Sequence, residues 1–182
     1  MTTHIALLRA VNVGGTGKLP MAALREACAE AGLARVSTYI ASGNLLFESP
    51  LSAEAAAALV TGILRERFGL LKNEVILRSL AELEAVVAGN PLPEVALERP
   101  KLYYASFLLG PPRRDAASLL AAWPGPEQIR LGEGCAYIDY PEGAGTSKLT
   151  PSALERMLGT PSTARNWNTV TTLLRLGREV QP

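Results

Sequence analysis

Residues 4–20, HIALLRAVNVGGTGKLP, run from a short apolar segment through a glycine-bearing turn with a lysine to a proline suited to opening a helix. This strand, turn and helix set the order that the rest of the chain follows. They also offer backbone donors to an anion, since helix N-termini and glycine-lined turns both present unpaired N–H groups. Working outward, the apolar residues of 4–10 fall on both faces of a strand, the pattern of a buried central strand. Pro20 suits the first helical position, and Met21, Leu24, Cys28 and Ala31 recur at helical spacing until Gly32 stops the helix. RVSTYIA (35–41) and LLFE (45–48) read as two strands joined at Ser42-Gly43-Asn44, residues that tolerate a tight turn. A helix from Ser52 to Phe68, ended by Gly69, and a strand over 74–78 complete the order βαββαβ.

The second half repeats it. Ser79 opens a helix whose capping box is completed by Glu82, and Gly89-Asn90-Pro91 stops it. The proline-rich stretch 90–100 reads as a linker. Beyond it come a strand over 101–109, a helix from Pro112 to Trp123, strands over 127–131 and 135–140, and a helix from Thr150. No closing strand shows in the pattern: Thr160-Pro161-Ser162 repeats Thr150-Pro151-Ser152, a threonine cap with proline at the first helical position, and reads as another helix start. The expected fold is α+β, two ferredoxin-like (βαββα-type) units in tandem with antiparallel sheets and a C-terminal helix closing the second. The expected boundaries are 1–89 for the first unit with its connecting helix, 90–100 for the linker and 101–182 for the second unit.

Bulk properties narrow the function classes. A chain of 182 residues, 48% hydrophobic, can bury a full core, and a formal net charge of +1 provides no basic field for nucleic acid or an anionic membrane. The two cysteines, Cys28 and Cys135, lie in separate apolar segments without metal-ligand spacing, so reduced, buried thiols are expected. The N-terminus has no basic region before its short apolar run and no stretch approaches a membrane span, so a cytoplasmic setting is expected, with no membrane partner.

Three blocks, RAVNVGGTGKLPMAALREA, VSTYIASGNLLFES and YIDYPEGAGTSKLTPSALERMLGTPSTARNWNTVTTLL, in that order, resemble a widespread bacterial family known only as a domain of unknown function, DUF1697. The resemblance spans nearly the whole chain. It implies a tandem ferredoxin-like fold, a cytoplasmic setting and no established substrate. Thr16 and Gly17 make the first loop smaller and more glycine-rich than the family leads one to expect.

The residues themselves must then supply the chemistry. Asn12 to Lys18 is not a Walker A loop, which would need glycine at Asn12 and Ser or Thr at Leu19. Two readings stay open: a turn whose glycines only supply positive φ, or an anion cradle in which Lys18 and Arg9 take part. Pro141 to Lys148 is a second lysine-bearing glycine loop running from strand to helix, with the same two readings. Adjacent Ser147 and Lys148 make a poor nucleophile pair, because sequence neighbours seldom point the same way. In the third element, Thr163 to Thr169, Trp167 shares a helical face with Val170 and Leu174 and reads as core, while Arg165, Asn166 and Asn168 suit hydrogen bonding to a ligand or to the other unit.

Familiar catalytic sets and cofactor motifs are lacking. His4 is the one histidine, read as a satisfied or exposed strand residue, and Asp139 with Glu142 as a solvated strand end; no residue set has metal-ligand spacing. The leading expectation is a binding module for a small phosphate- or carboxylate-bearing ligand. Its candidate residues are Arg9, Asn12, Gly14, Gly15, Lys18, Ser42, Gly43, Asn44, Gly143, Gly145, Ser147, Lys148, Arg165, Asn166 and Asn168, with the two glycine loops expected at one cleft. The alternative is a phosphoryl or acyl-phosphate hydrolase on the same site, by analogy with ferredoxin-like acylphosphatases. RNA binding is disfavoured, because the strands that would stack bases carry Ile5-Ala6-Leu7-Leu8 and Leu45-Leu46-Phe47.

Overall fold

The computed structural model describes residues 1–180. Strands β1 (Thr2–Leu8), β2 (Ala34–Tyr39), β3 (Asn44–Ser49) and β4 (Val75–Ser79) form an antiparallel sheet of order β2-β3-β1-β4, crossed by helices α1 (Met21–Glu30) and α2 (Ala53–Phe68). After helices α3 (Leu80–Ala88) and α4 (Pro93–Glu98), the order recurs with β5 (Tyr103–Leu108), α5 (Ala116–Ala121), β6 (Gln128–Leu131), β7 (Cys135–Asp139), α6 (Pro151–Leu158) and β8 (Ser162–Asn166). These strands make a second antiparallel sheet of order β6-β7-β5-β8, and helix α7 (Trp167–Val180) comes last. Two separate sheets of equivalent order are the tandem α+β architecture that the sequence implies.

The chain divides into two compact units, Met1–Leu83 together with the chain from Leu173 on, and Glu84–Thr172. In the first, Ala6 and Leu8 of β1, Leu45 and Phe47 of β3 and Val75 of β4 face the buried side chains of α1 and α2, among them Leu24, Cys28, Val60 and Leu64. Ile5, Leu7, Leu46 and Ile76 lie on the opposite sheet face and are also buried, which explains why β1 is apolar throughout. Helix α7 reaches this face at Gly177, where a Cβ would stand 2.9 Å from Leu80 Cδ1 and 3.8 Å from Ile5 Cδ1. Arg35 Nη1 donates to the Val180 carbonyl at 2.5 Å. In the second unit, Leu108, Ile129, Ala136, Ile138 and Tyr140 pack with Leu120, Leu154 and Leu158 of α5 and α6.

Local signals account for most of these boundaries. Ser52 Oγ accepts from the Ala55 N–H at 3.2 Å and Gly69 ends α2 at φ 66°. Thr150 Oγ1 likewise accepts from the Ala153 N–H at 3.2 Å, with Pro151 at the first position of α6 and Gly159 ending it at φ 74°. The capping box forms in both directions: Ser79 N–H donates to Glu82 Oε2 at 2.7 Å and Glu82 N–H to Ser79 Oγ at 3.2 Å.

Other elements differ from the sequence pattern. Pro20 is the N-cap of α1 rather than its first helical residue, with ψ 120°. Helix α5 begins only at Ala116, because the Arg113 N–H is drawn to the Leu158 carbonyl (2.8 Å), and it ends before Pro124. The stretch 90–100 contains α4, whose Pro93 stands in the first turn. The closing strand of the second unit, which the pattern did not show, is β8, and Thr160-Pro161-Ser162 starts no helix. Ser162–Asn166 pairs with Leu108–Tyr104, and the Ser162 N–H donates to Glu155 Oε1 at 2.8 Å. The cap of α7 is Asn166, whose Oδ1 accepts from the Thr169 N–H at 3.0 Å. Lacking any large apolar side chain, Ser-Thr-Ala-Arg-Asn is invisible to a hydrophobic count.

Candidate functional site

In the first unit β1 gives way to a miniature hairpin. The Asn12 N–H donates to the Gly17 carbonyl (2.9 Å), Val13 and Thr16 form an isolated antiparallel bridge, and the Thr16 N–H closes on the Val13 carbonyl (3.0 Å). Gly14 and Gly15 sit at the tip with φ 57° and 76°, the positive pair of a type I′ turn. Chain reversal by itself thus requires both glycines. Asn12, at φ 53°, holds the hairpin to its surroundings: Nδ2 donates to the Leu19 carbonyl (3.0 Å) and the Ala41 carbonyl (2.7 Å), while Oδ1 accepts from the Leu19 N–H (2.8 Å). Gly43 lies under the same junction at φ 90°, its carbonyl accepting from the Leu8 N–H at 2.8 Å. The fully buried Asn44 donates to the Tyr39 carbonyl (2.9 Å) and to Ser42 Oγ (3.3 Å).

The cations around this hairpin differ in their freedom. Arg9 Nη1 is paired with Glu74 Oε2 at 3.0 Å, and Asn73 Nδ2 bridges the Arg9 and Ala10 carbonyls at 2.9 Å each. Lys18 and Lys72 are exposed and, among the described residues, have no carboxylate partner. Between the hairpin and the segment after α2 lies an open cleft of about 500 Å³, lined among others by Arg9, Thr16, Gly17, Lys72 and Asn73. Lys72 carried no signal in the sequence, being one lysine in a loop without glycine-rich context. Ala10 and Ile40, at φ 57° and 54°, flank the junction in a conformation that L residues with a Cβ rarely adopt, and for β-branched Ile40 it is a marked outlier.

The second glycine loop, between β7 and α6, is built differently. The Gly143 N–H closes on the Tyr140 carbonyl at 2.9 Å, Gly143 takes φ 90°, and Thr146 Oγ1 donates to the Glu142 carbonyl at 3.0 Å. Gly145 is exposed with open space where a Cβ would stand. Ser147 accepts from the Leu149 N–H (2.9 Å) and donates its hydroxyl to Glu127 Oε1. The other Glu127 oxygen accepts from the Trp123 indole at 2.6 Å. Burial pushes the Glu127 pKa up, but the bonds from Ser147 and Trp123 outweigh it and hold the carboxyl below its ordinary value. Lys148, beside them, is exposed and has no ion-pair partner among the described residues. Lys18 and Lys148 belong to different units.

Arg165 lies in β8, 6% exposed, with Nη1 donating to Thr163 Oγ1 (2.8 Å) and the Ala164 carbonyl (2.9 Å); burial lowers its pKa to about 10. Asn166 caps α7, and Asn168 is exposed in its first turn. Trp167 packs against Tyr103 and Tyr137, with ring centroids 5.2 and 6.3 Å away. Two sequence readings need correction. Asp139 is 1% exposed rather than a solvated strand end, because Arg99 Nη2 reaches its Oδ2 at 2.6 Å, a partner forty positions away. His4 is 3% exposed and, among the described residues, neither ring nitrogen has a hydrogen-bond partner, so it is neither exposed nor satisfied; burial lowers its pKa. Its ring lies against Phe47, 5.3 Å between centroids.

Residues 1–137 match the model of a family described as protein of unknown function, DUF1697. The chain belongs to that family. No curated protein matches this DUF1697 chain. Among solved structures it is similar to the conserved bacterial protein SP0830 from Streptococcus pneumoniae, with a TM-score of 0.76 at 22% identity, covering 97% of this chain and 98% of that one. That likeness concerns the fold. Among the described residues no helix is long and apolar enough to cross a membrane.

Proposed function

We propose that this DUF1697 protein is a binding module for a small phosphate- or carboxylate-bearing ligand, received in the first unit between the hairpin at 12–17 and the segment at 69–73. The observation that carries the reading is the charge balance of the cleft. The neighbouring carboxylate of Glu74 is engaged by Arg9, while among the described residues Lys72 on the cleft wall and Lys18 at the hairpin base have no carboxylate partner. An anion there gains a charge-assisted donor from Lys72, Lys18 follows the lining residue Gly17 in the chain, and Thr16 and Gly17 line the same space. Asn12, Gly43 and Asn44 support this site by fixing the hairpin and need not touch the ligand.

The test is calorimetric titration of the intact protein with inorganic pyrophosphate at low ionic strength, followed by the same titration of Lys72→Ala and Lys18→Ala. Saturable binding is expected, weakened about tenfold in each variant, or about 1.4 kcal/mol for one lost charge-assisted contact. Binding by both variants at the wild-type affinity would refute the assignment.

A further inference from the structure

We infer a second ligand site, in the unit Glu84–Thr172, for a small aromatic acid. An open groove of about 390 Å³ runs between α5 and α6, lined by Arg113, Leu119, Trp123, Ala153, Arg156 and Met157. Its size falls near the lower end of small-molecule pockets, and its composition has their usual form, an apolar floor with a few converging polar groups. Four of the six lining residues are apolar or aromatic, and the other two are arginines.

What distinguishes the groove from an ordinary gap between helices is how its polar and aromatic parts are held. Trp123 is fixed through its indole N–H to Glu127, and Glu127 is fixed in turn by the Ser147 hydroxyl. The serine of the second glycine loop therefore positions an aromatic wall. Arg113 is held at its root by the N–H donated to the Leu158 carbonyl (2.8 Å), and its stem lies on Gly159, where a Cβ would come 3.1 Å from Arg113 Cβ. Its Nε and Nη2 both bond Asp115, at 2.5 and 3.1 Å, so the guanidinium has a set plane. Arg156 is exposed and has no acid partner among the described residues; the one carboxylate of its helix, Glu155, accepts instead from the Ser162 N–H. The helix dipole accounts for a cation in the last turn of α6, but not for a rigid indole and a second oriented arginine lining the same groove. A planar apolar body against Trp123 with its carboxylate on Arg156 uses both kinds of surface at once, and preorganised partners lose little freedom on binding.

The probe is naphthalene-2-carboxylate, titrated calorimetrically into the intact protein, with the neutral naphthalen-2-ylmethanol as its uncharged counterpart. Saturable one-to-one binding of the acid is expected, with the alcohol at least about tenfold weaker and Arg156→Ala weakening the acid by about tenfold. Arg156 is exposed, so its truncation leaves the core intact. Ser147→Ala is expected to weaken the acid severalfold and to lower the fluorescence anisotropy of Trp123, measured in a Trp167→Phe background. Lys72→Ala, in the other unit, is expected to bind this probe as the wild type does, which separates this site from the pyrophosphate site. Equal binding of acid and alcohol, wild-type affinity in Arg156→Ala, or no saturable binding would each overturn the inference.

Discussion

Truncating Asn12 to alanine should destabilise the first unit by about 3 kcal/mol. The side chain makes three hydrogen bonds, two with the backbone of the buried Leu19 and one with the Ala41 carbonyl. At a net 0.5–1 kcal/mol each for partly exposed bonds, their loss costs about 2 kcal/mol. The backbone adds to this: φ is 53°, a left-handed conformation that asparagine tolerates and alanine adopts at a cost of about 1 kcal/mol. Asn12→Gly removes the bonds but not the tolerance, so it should cost only about 2 kcal/mol. The two variants together therefore divide the effect into side chain and backbone. Urea denaturation followed by far-ultraviolet circular dichroism is the appropriate assay, because both tryptophans, Trp123 and Trp167, lie in the other unit and their fluorescence would report on the wrong half. Hydrogen exchange at the Leu19 amide gives a local reading of the same loss. Asn12→Ala within 0.5 kcal/mol of wild type, or Asn12→Gly as unstable as Asn12→Ala, would refute the account of Asn12 as a clamp on the hairpin.

Gly43→Ala should cost about 2 kcal/mol or more in the same denaturation experiment, since φ is 90° and the new methyl would lie 2.9 Å from Leu8 Cβ and closer still to the Val11 side chain. The His4 pKa is lowered from 6.5, so between that value and the folded one the unfolded chain holds a proton that the folded chain does not. Stability should therefore fall as pH drops from about 7 towards 5, and His4→Phe should reduce that fall while leaving stability near neutrality almost unchanged. Cys28 and Cys135 are both buried and neither is in a disulfide, and burial raises the Cys28 thiol to about 11. Native protein should react negligibly with an aromatic disulfide reagent and release two equivalents on unfolding; rapid labelling in the native state would contradict this.

What could be read from the sequence is what short-range chemistry determines. The caps at Ser52 and Thr150, the terminating Gly69 and Gly159 and the Ser79–Glu82 box act within four residues, and each forms as its local pattern requires. The position of β1 also followed from its apolar run. β8 was missed because its burial is achieved by serine, threonine and arginine packed on β5, which an apolar count does not register. At the candidate sites the sequence located the loops but not the state of their charges. Whether Arg9 is free depends on Glu74, sixty-five positions on, and whether Ser147 is available depends on Glu127, twenty positions back. The Gly14-Gly15 pair shows the same limit: two glycines serve a hairpin tip or an anion equally well on paper, and only the Val13–Thr16 bridge identifies the hairpin.

The assignment of the chain from Leu173 on to the first unit, with Gly177 against Leu80 and Ile5, bears on biosynthesis. A ribosome releases residues 1–83 long before it has made the segment that covers them, whereas Glu84–Thr172 is complete as one uninterrupted run. The half synthesised later can thus reach its final packing first, while the earlier half waits with Ile5 and its neighbours uncovered until the last helix emerges. Expression of residues 1–83 alone should yield an aggregation-prone fragment, and supplying the α7 segment on a linker should restore its solubility.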